Sequence, residues 1–177
     1  MMPVDEALIE TLGPDAVGDA IPALVAILDD CVSHGASVGF MAWNTQEDYR
    51  GFWSGVAGEV EAGRTILLVA RLAREIVGTA QLHLIGKPNQ PHRAEIAKVL
   101  VHSRARRRGI GEALMQAAEA EARKAKRDLL VLDSDEGGAA RRLYNRLGWT
   151  EAGTIPRFAL LPDGSFCGST FFYKSLA

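Results

Sequence analysis

At 177 residues, with 47% hydrophobic and 24% charged side chains, the chain is long enough for one domain, 1–177, with a substantial core. A net charge of −2 and a pI near 6.1 argue against a protein whose main partner is nucleic acid. Cys31 and Cys167 are too few and too separated for a disulfide framework, the four histidines lack metal-ligand spacing, and no apolar run reaches the ~18 residues of a membrane span. With no signal-like segment, the expectation is a soluble, cytoplasmic protein.

Ala7 to Leu12 reads as a short strand closed by Gly13-Pro14-Asp15. Apolar residues at helical spacing (Ile21, Leu24, Val25, Leu28) predict a helix over 16–32, in which Pro22 is expected only near the start or at a break. A glycine-punctuated loop, His34 to Met41, precedes a second helix capped by Thr45 and running to about Val60, with Glu47 and Asp48 in its first turn. Thr65–Arg71 and Glu75–Ile85 have the pattern of a hairpin, and Arg93–Val101 forms another strand. A helix over about 109–126 follows, then the apolar strand Leu129–Leu132, which Asp133 ends. A last helix over about 138–147 stops at Gly148, and two strands, near 149–160 and 165–174, flank the turn Leu161-Pro162-Asp163-Gly164. The whole is an α+β fold, a mixed, mostly antiparallel sheet of about seven strands flanked by about four helices.

The segment Arg106-Arg107-Arg108-Gly109-Ile110-Gly111-Glu112 lies between a strand and a helix start. The first N–H groups of a helix lack partners inside it, and the macrodipole adds positive potential there. Gly109 and Gly111 let backbone approach an anion, and the arginines add forked donors suited to phosphate. A P-loop would need Lys-Ser/Thr where Glu112-Ala113 stand, and a dinucleotide fingerprint would need a third spaced glycine. A solvated basic turn, or a nucleic-acid patch over Arg104–Arg108, is the alternative reading of the same residues.

The arrangement Arg-x-x-Gly-x-Gly behind a strand resembles the acetyl-CoA signature of the GCN5-related N-acetyltransferase (GNAT) superfamily. A second segment, Ala140-Arg141-Arg142-Leu143-Tyr144-Asn145-Arg146-Leu147-Gly148-Trp149, is similar to that family's Ala-x-x-Leu-Tyr-x-x-x-Gly-Phe. The order of elements matches over nearly the whole chain. A closer resemblance, to the tabtoxin-resistance acetyltransferase subgroup, rests on Gly35–Met41, Lys87-Pro88-Asn89, Arg93-Ala94-Glu95, Leu132-Asp133 and Pro162-Asp163-Gly164. It implies acetylation of a β-lactam amino acid or a similar small polar metabolite, at an amine or a hydroxyl. Two positions depart from the pattern. Arg107 stands where relatives often have glycine, and Gly137 where many have a cofactor-touching asparagine.

The resemblance implies acetyl-CoA as cosubstrate and no metal. The pyrophosphate would lie on 106–112 and the pantetheine arm beside Val99, Leu100 and Val101, one of whose N–H groups would face the thioester oxygen. Tyr144 would assist the departing sulfur, its alternative being a core tyrosine beside Leu143 and Leu147. Glu95 sits in an Ile/Ala/Val run where a carboxylate is costly unless used or paired. It is a candidate base with Asp133, unless Glu95 pairs with a neighbouring cation and Asp133 caps a turn. The loop bearing Ser37, Phe40 and Met41 is the candidate acceptor site, with Trp43 and Phe158 as further lining or core. Competing readings are a protein or peptide N-acetyltransferase, and a non-catalytic acyl-CoA sensor, which loss of the acid or base would favour. Oligomeric state stays open, a homodimer being what C-terminal strands of this type often give.

Overall fold

The structure, a computed structural model, describes residues 7–138 and 140–176. In chain order the elements are β1 (Leu8–Leu12), α1 (Pro14–Ser33), α2 (Gln46–Glu61), β2 (Thr65–Leu72), β3 (Glu75–Leu84), β4 (Arg93–Val101), a 3-10 turn (Ser103–Ala105), α3 (Ile110–Lys124), β5 (Leu129–Asp135), α4 (Ala140–Arg146), β6 (Thr150–Leu160) and β7 (Phe166–Ser175). The seven strands form one sheet in the order β1-β2-β3-β4-β5-β7-β6, antiparallel at every pairing except β4–β5. The mixed, mostly antiparallel sheet with four helices expected from the sequence is therefore present among the described residues.

Alternation along the strands divides the core in two. Leu68 and Ala70 of β2 pack with Ile110, Leu114, Met115 and Ala118 of α3, whereas Leu67 and Val69 pack with Leu24 and Leu28 of α1 and Trp53 of α2. Each fully buried leucine contributes roughly 1.5–3 kcal/mol relative to exposure, so both helix layers are held by burial rather than by intrinsic propensity.

Helix α1 corrects the expectation for Pro22, which lies inside an unbroken 20-residue helix that Pro14 opens. An interior proline costs about 3 kcal/mol. Val17, Ala20, Leu24, Val25, Ile27 and Leu28 are buried along the same helix and outweigh that cost. Gly18, whose carbonyl loses its partner, is exposed, so water can take the acceptor. Helix α2 begins at a full capping box, Thr45 Oγ1 accepting from Asp48 N while Asp48 Oδ2 accepts from Thr45 N. Strand β5 runs three residues beyond Leu132, so Asp133 stands inside a strand rather than at its end. The ladder continues because Asp133, Ser134 and Asp135 pair with Phe171, Thr170 and Ser169 of β7. Helix α4 is shorter than expected, and Ala139 lies outside the described residues.

A buried charge cluster ties α3 to the C-terminal strands. Glu119 accepts from Trp149 Nε1 at 3.0 Å and from Lys174 Nζ at 2.8 Å, and Lys174 also donates to the Leu147 carbonyl. Every charge there has a partner, the condition under which a buried ion pair is tolerated.

Candidate active site

Strands β4 and β5 pair only where Arg93–Glu95 face Leu129–Val131. Both continue, β4 to Val101 and β5 to Asp135, with no ladder between them. A β-bulge in β4 accompanies the divergence. Gln81 pairs with Ala97 and Thr79 with Leu100, so Lys98 and Val99 together oppose Ala80, and Lys98 takes a φ of 51°. Bulges bend and twist the strand that carries them, whereas β5 stays with β7 as far as Asp135. The edge of Val99, Leu100 and Val101 facing β5 has no strand partner, the Val101 carbonyl alone accepting from Arg106 Nε, and their other edge remains on β3 through Thr79 and Gly78.

Beyond Val101 the chain turns into α3. Arg107 has φ 61° and Gly109, the N-cap, φ 76°, with no side chain capping the helix. The first-turn N–H groups of Ile110, Gly111 and Glu112 therefore have no partner within the helix. Four of the residues read as cofactor ligands take different parts here. Arg106 turns back, its Nε donating to the Val101 carbonyl at 3.1 Å. Arg107 and Arg108 are exposed. Glu112 pairs with Arg146 of α4 at 3.0 Å and links the two helices. The turn is braced from behind by Asp30 of α1, a residue that no local motif singles out. Its carboxylate accepts from Ser103 N and Ser103 Oγ, both at 2.7 Å, and lies 3.8 Å from Arg106. Burial pushes the Asp30 carboxyl up, but the two Ser103 hydrogen bonds, with His102 and His34 nearby, outweigh it and hold the group below its usual range.

Tyr144 is buried between Trp149 and Phe172, with ring centroids 6.2 and 5.3 Å away. Burial, with the charges of Asp133 and Asp135, pushes its hydroxyl up to about 12. The two carboxylates lie on the sheet face of α1 and α2, opposite Leu130 and Leu132 in the alternation. Glu95 is 44% exposed and pairs with Arg93 at 2.5 Å, so the neighbouring cation that the sequence left open is present. Asp133 does not cap a turn; it accepts from Ser169 Oγ at 2.6 Å, and its charge bears on both Tyr144 and Lys98.

The loop 34–41 closes over this end of the sheet. Ser37 Oγ donates to the Leu160 carbonyl at 3.3 Å, and Ala42 N to the Pro162 carbonyl at 3.0 Å, fastening the loop to the β6–β7 turn. Phe40 stands edge-on to Tyr49 and Phe52, while Phe158 stands edge-on to Phe171. Met41 is half-buried, its N–H donating to Asn44 Oδ1. Trp43, 71% exposed, is not drawn into these contacts. Lys98 was also missed. A lysine within Ile96-Ala97-Lys98-Val99 is the signal that could have found it.

An open strand edge leading into the uncapped start of a helix can hold a ligand that has both amides and a pyrophosphate. The Acetyltransferase (GNAT) family profile matches residues 23–149. A ribosomal-protein-alanine N-acetyltransferase from Brucella melitensis superposes with a TM-score of 0.79 at 28% identity, over 96% of this chain and 99% of that one. The Salmonella typhimurium protein yncA, solved with its cofactor acetyl-CoA, gives 0.77 at 20% identity over 97% and 95% of the two chains. A candidate phosphinothricin N-acetyltransferase gives 0.77 at 20% identity over 97% and 99%. With most of its length matched by the family profile and its fold shared with these structures, the chain belongs to the GNAT family and is an acetyltransferase.

Proposed function

We propose that the chain, acting as one domain, moves the acetyl group of acetyl-CoA onto the amine of a small polar metabolite, a β-lactam amino acid being the leading candidate. The observation that carries this reading is the gap between β4 and β5, which opens beside Val99–Val101 and ends at the α3 turn. Both parts of the cosubstrate find fitting partners, the pantetheine amides on the open edge and the pyrophosphate on the N–H groups of 110–112 with Arg107 and Arg108. A carboxylate, Glu95 or Asp133, takes the proton of the acceptor ammonium, and an N–H of β4 donates to the thioester oxygen. The C–N bond then forms as the C–S bond breaks, and the second proton of the nitrogen leaves to water. A hydroxyl at about 12 is a far weaker acid than a thiol near ~8.5. Tyr144 therefore supports the departing thiolate by a hydrogen bond, and full protonation comes from water.

The small acceptor is supported by where the subgroup-like residues meet. Gly35–Met41, Asp133 and the Pro162-Asp163-Gly164 turn all lie at the end of the cleft that the loop closes. The 28%-identical neighbour is named for a protein amine, so peptide acceptors belong in the same assay. Ile155, Phe158, Leu160, Phe166 and Tyr173 are exposed apolar residues on β6 and β7, and β6 is a sheet edge, which supports a homodimer through these strands. No helix among the described residues is long and apolar enough to cross a membrane, in keeping with action on a cytoplasmic metabolite. The test is thiol release from acetyl-CoA against free amino acids, tabtoxinine-β-lactam and N-terminal peptides. Release that depends on the acceptor and collapses in Tyr144→Phe supports the reading, and failure to bind acetyl-CoA overturns it.

A further inference from the structure

Lys98 is the residue whose surroundings the proposed chemistry leaves unexplained. The bulge turns it out of the regular alternation of β4, with φ 51°. Its ammonium lies 5.4 Å from the centroid of the Phe52 ring on α2. From above, the acceptor loop comes close enough that a Cβ at Gly39 would stand 4.0 Å from Nζ. Among the described residues Lys98 enters neither an ion pair nor a side-chain hydrogen bond. Burial holds the amine below its usual range, and only Asp133 acts in the other direction. On β3, opposite Ala97, Gln81 is 1% exposed and its Nε2 also lacks a partner among the described residues. This part of the face thus carries a partly desolvated cation and a spare donor, with no carboxylate in contact with either among the described residues.

The opposite sign lies across the gap. Asp133 is two residues past Val131, the partner of Glu95, and shares its face of the sheet. An acceptor lying from β5 to the bulge would meet a carboxylate at one end and an ammonium at the other. We propose that Lys98 determines acceptor specificity by receiving the carboxylate of a free amino acid, whose own amine is presented to Asp133 and Glu95. The proposal rests on the acetyl-transfer reading above and narrows it, because an amine within a peptide chain offers no α-carboxylate to Lys98. Gly39, at φ 86°, lets the loop turn beside the ammonium, and the ring of Phe52 supports the cation where a carboxylate would have repelled the acceptor.

The experiment pairs each free L-amino acid, and tabtoxinine-β-lactam, with its carboxamide, in the wild type, Lys98→Met and Lys98→Arg. Thiol release reads turnover, and calorimetric titration of the same pairs into protein loaded with CoA, which has no acetyl group to transfer, reads binding without turnover. The wild type should prefer acids over carboxamides by about tenfold to a hundredfold, the range of one hydrogen bond to a charged group. Lys98→Met should erase that preference by raising KM for acids alone, and Lys98→Arg should restore part of it. Equal loss for acids and carboxamides, or a wild type that turns over carboxamides and peptides as well as acids, overturns the proposal and leaves the acetyltransferase reading intact. Acids that bind in a Lys98-dependent way without turnover uphold the proposal and overturn the chemistry. If no acid binds and none is turned over, both fall.

Discussion

At the α3 end of the gap the groups that can hold a ligand are mainly backbone: an open strand edge, three unpartnered N–H groups and a turn set by Arg107 and Gly109 at positive φ. At the acceptor end they are side chains contributed by separate stretches, the 34–41 loop, the β4 bulge, β5 and the β6–β7 turn. Backbone geometry is indifferent to most substitutions, so one cosubstrate can be kept while the acceptor end changes.

The sharpest way to break the comparison is Tyr144→Phe, since the proposed mechanism has this buried hydroxyl assist the departing thiolate. Removing one donor to developing charge costs about 100- to 1000-fold in kcat, and the expected result is such a loss with KM for acetyl-CoA unchanged. Because the hydroxyl is pushed up to about 12, it stays protonated across pH 6–10, and the alkaline limb of the wild-type profile should not be its own. A limb that disappears in the phenylalanine variant would contradict this. The two carboxylates come next. Asp133 bears on Tyr144 and Lys98, whereas Glu95 is engaged by Arg93 where the strands still pair. Asp133→Asn should therefore lower kcat about 100-fold, within the range of general-base catalysis, and Glu95→Gln should lower it less. The reverse order would move the base to Glu95.

Asp30→Asn tests the other end. It removes the charge behind the Ser103 hydrogen bonds without touching the acceptor. KM for acetyl-CoA should rise about tenfold, the value of one hydrogen bond to a charged group, with kcat nearly constant. The folded carboxyl is lowered, so its stabilisation is present above the unfolded value near ~3.9 and is lost as pH falls through the folded one. Wild-type and Asp30→Asn melting temperatures should thus converge once the pH has fallen through that lowered folded value. A gap that persists there would mean that the loss is one of packing.

What the sequence showed and what it hid follow the same division. The 106–111 turn, the Thr45 cap and the Gly148 stop are local, each decided by a few adjacent residues, and each stands where periodicity and glycine placed it. The bulge at Lys98 is decided by register between β3 and β4, and the extension of β5 past Leu132 by pairing with β7, so neither is written in its own segment. Pro22 stands inside α1 for a similar reason, because burial of α1 against the sheet and α2 overrules a local helix breaker. Asp30 reaches the cofactor turn across 73 residues of sequence, a distance over which spacing says nothing.

The smallest expected effect bears on the one departure from the family pattern that the geometry explains. Arg107 holds φ 61°, a region that costs a residue with a Cβ about 1–2 kcal/mol and glycine almost nothing. A glycine at this position would avoid that strain, and here an exposed guanidinium beside the helix start can offset it by its charge. Arg107→Gly should raise the melting temperature by a few degrees at most, since glycine also gives the unfolded chain more freedom. KM for acetyl-CoA should rise only a few-fold, and that rise should shrink with added salt because the arginine is exposed. If KM instead rose a hundredfold without salt dependence, side chains rather than backbone would dominate the cofactor end, and the contrast between the two ends would be lost.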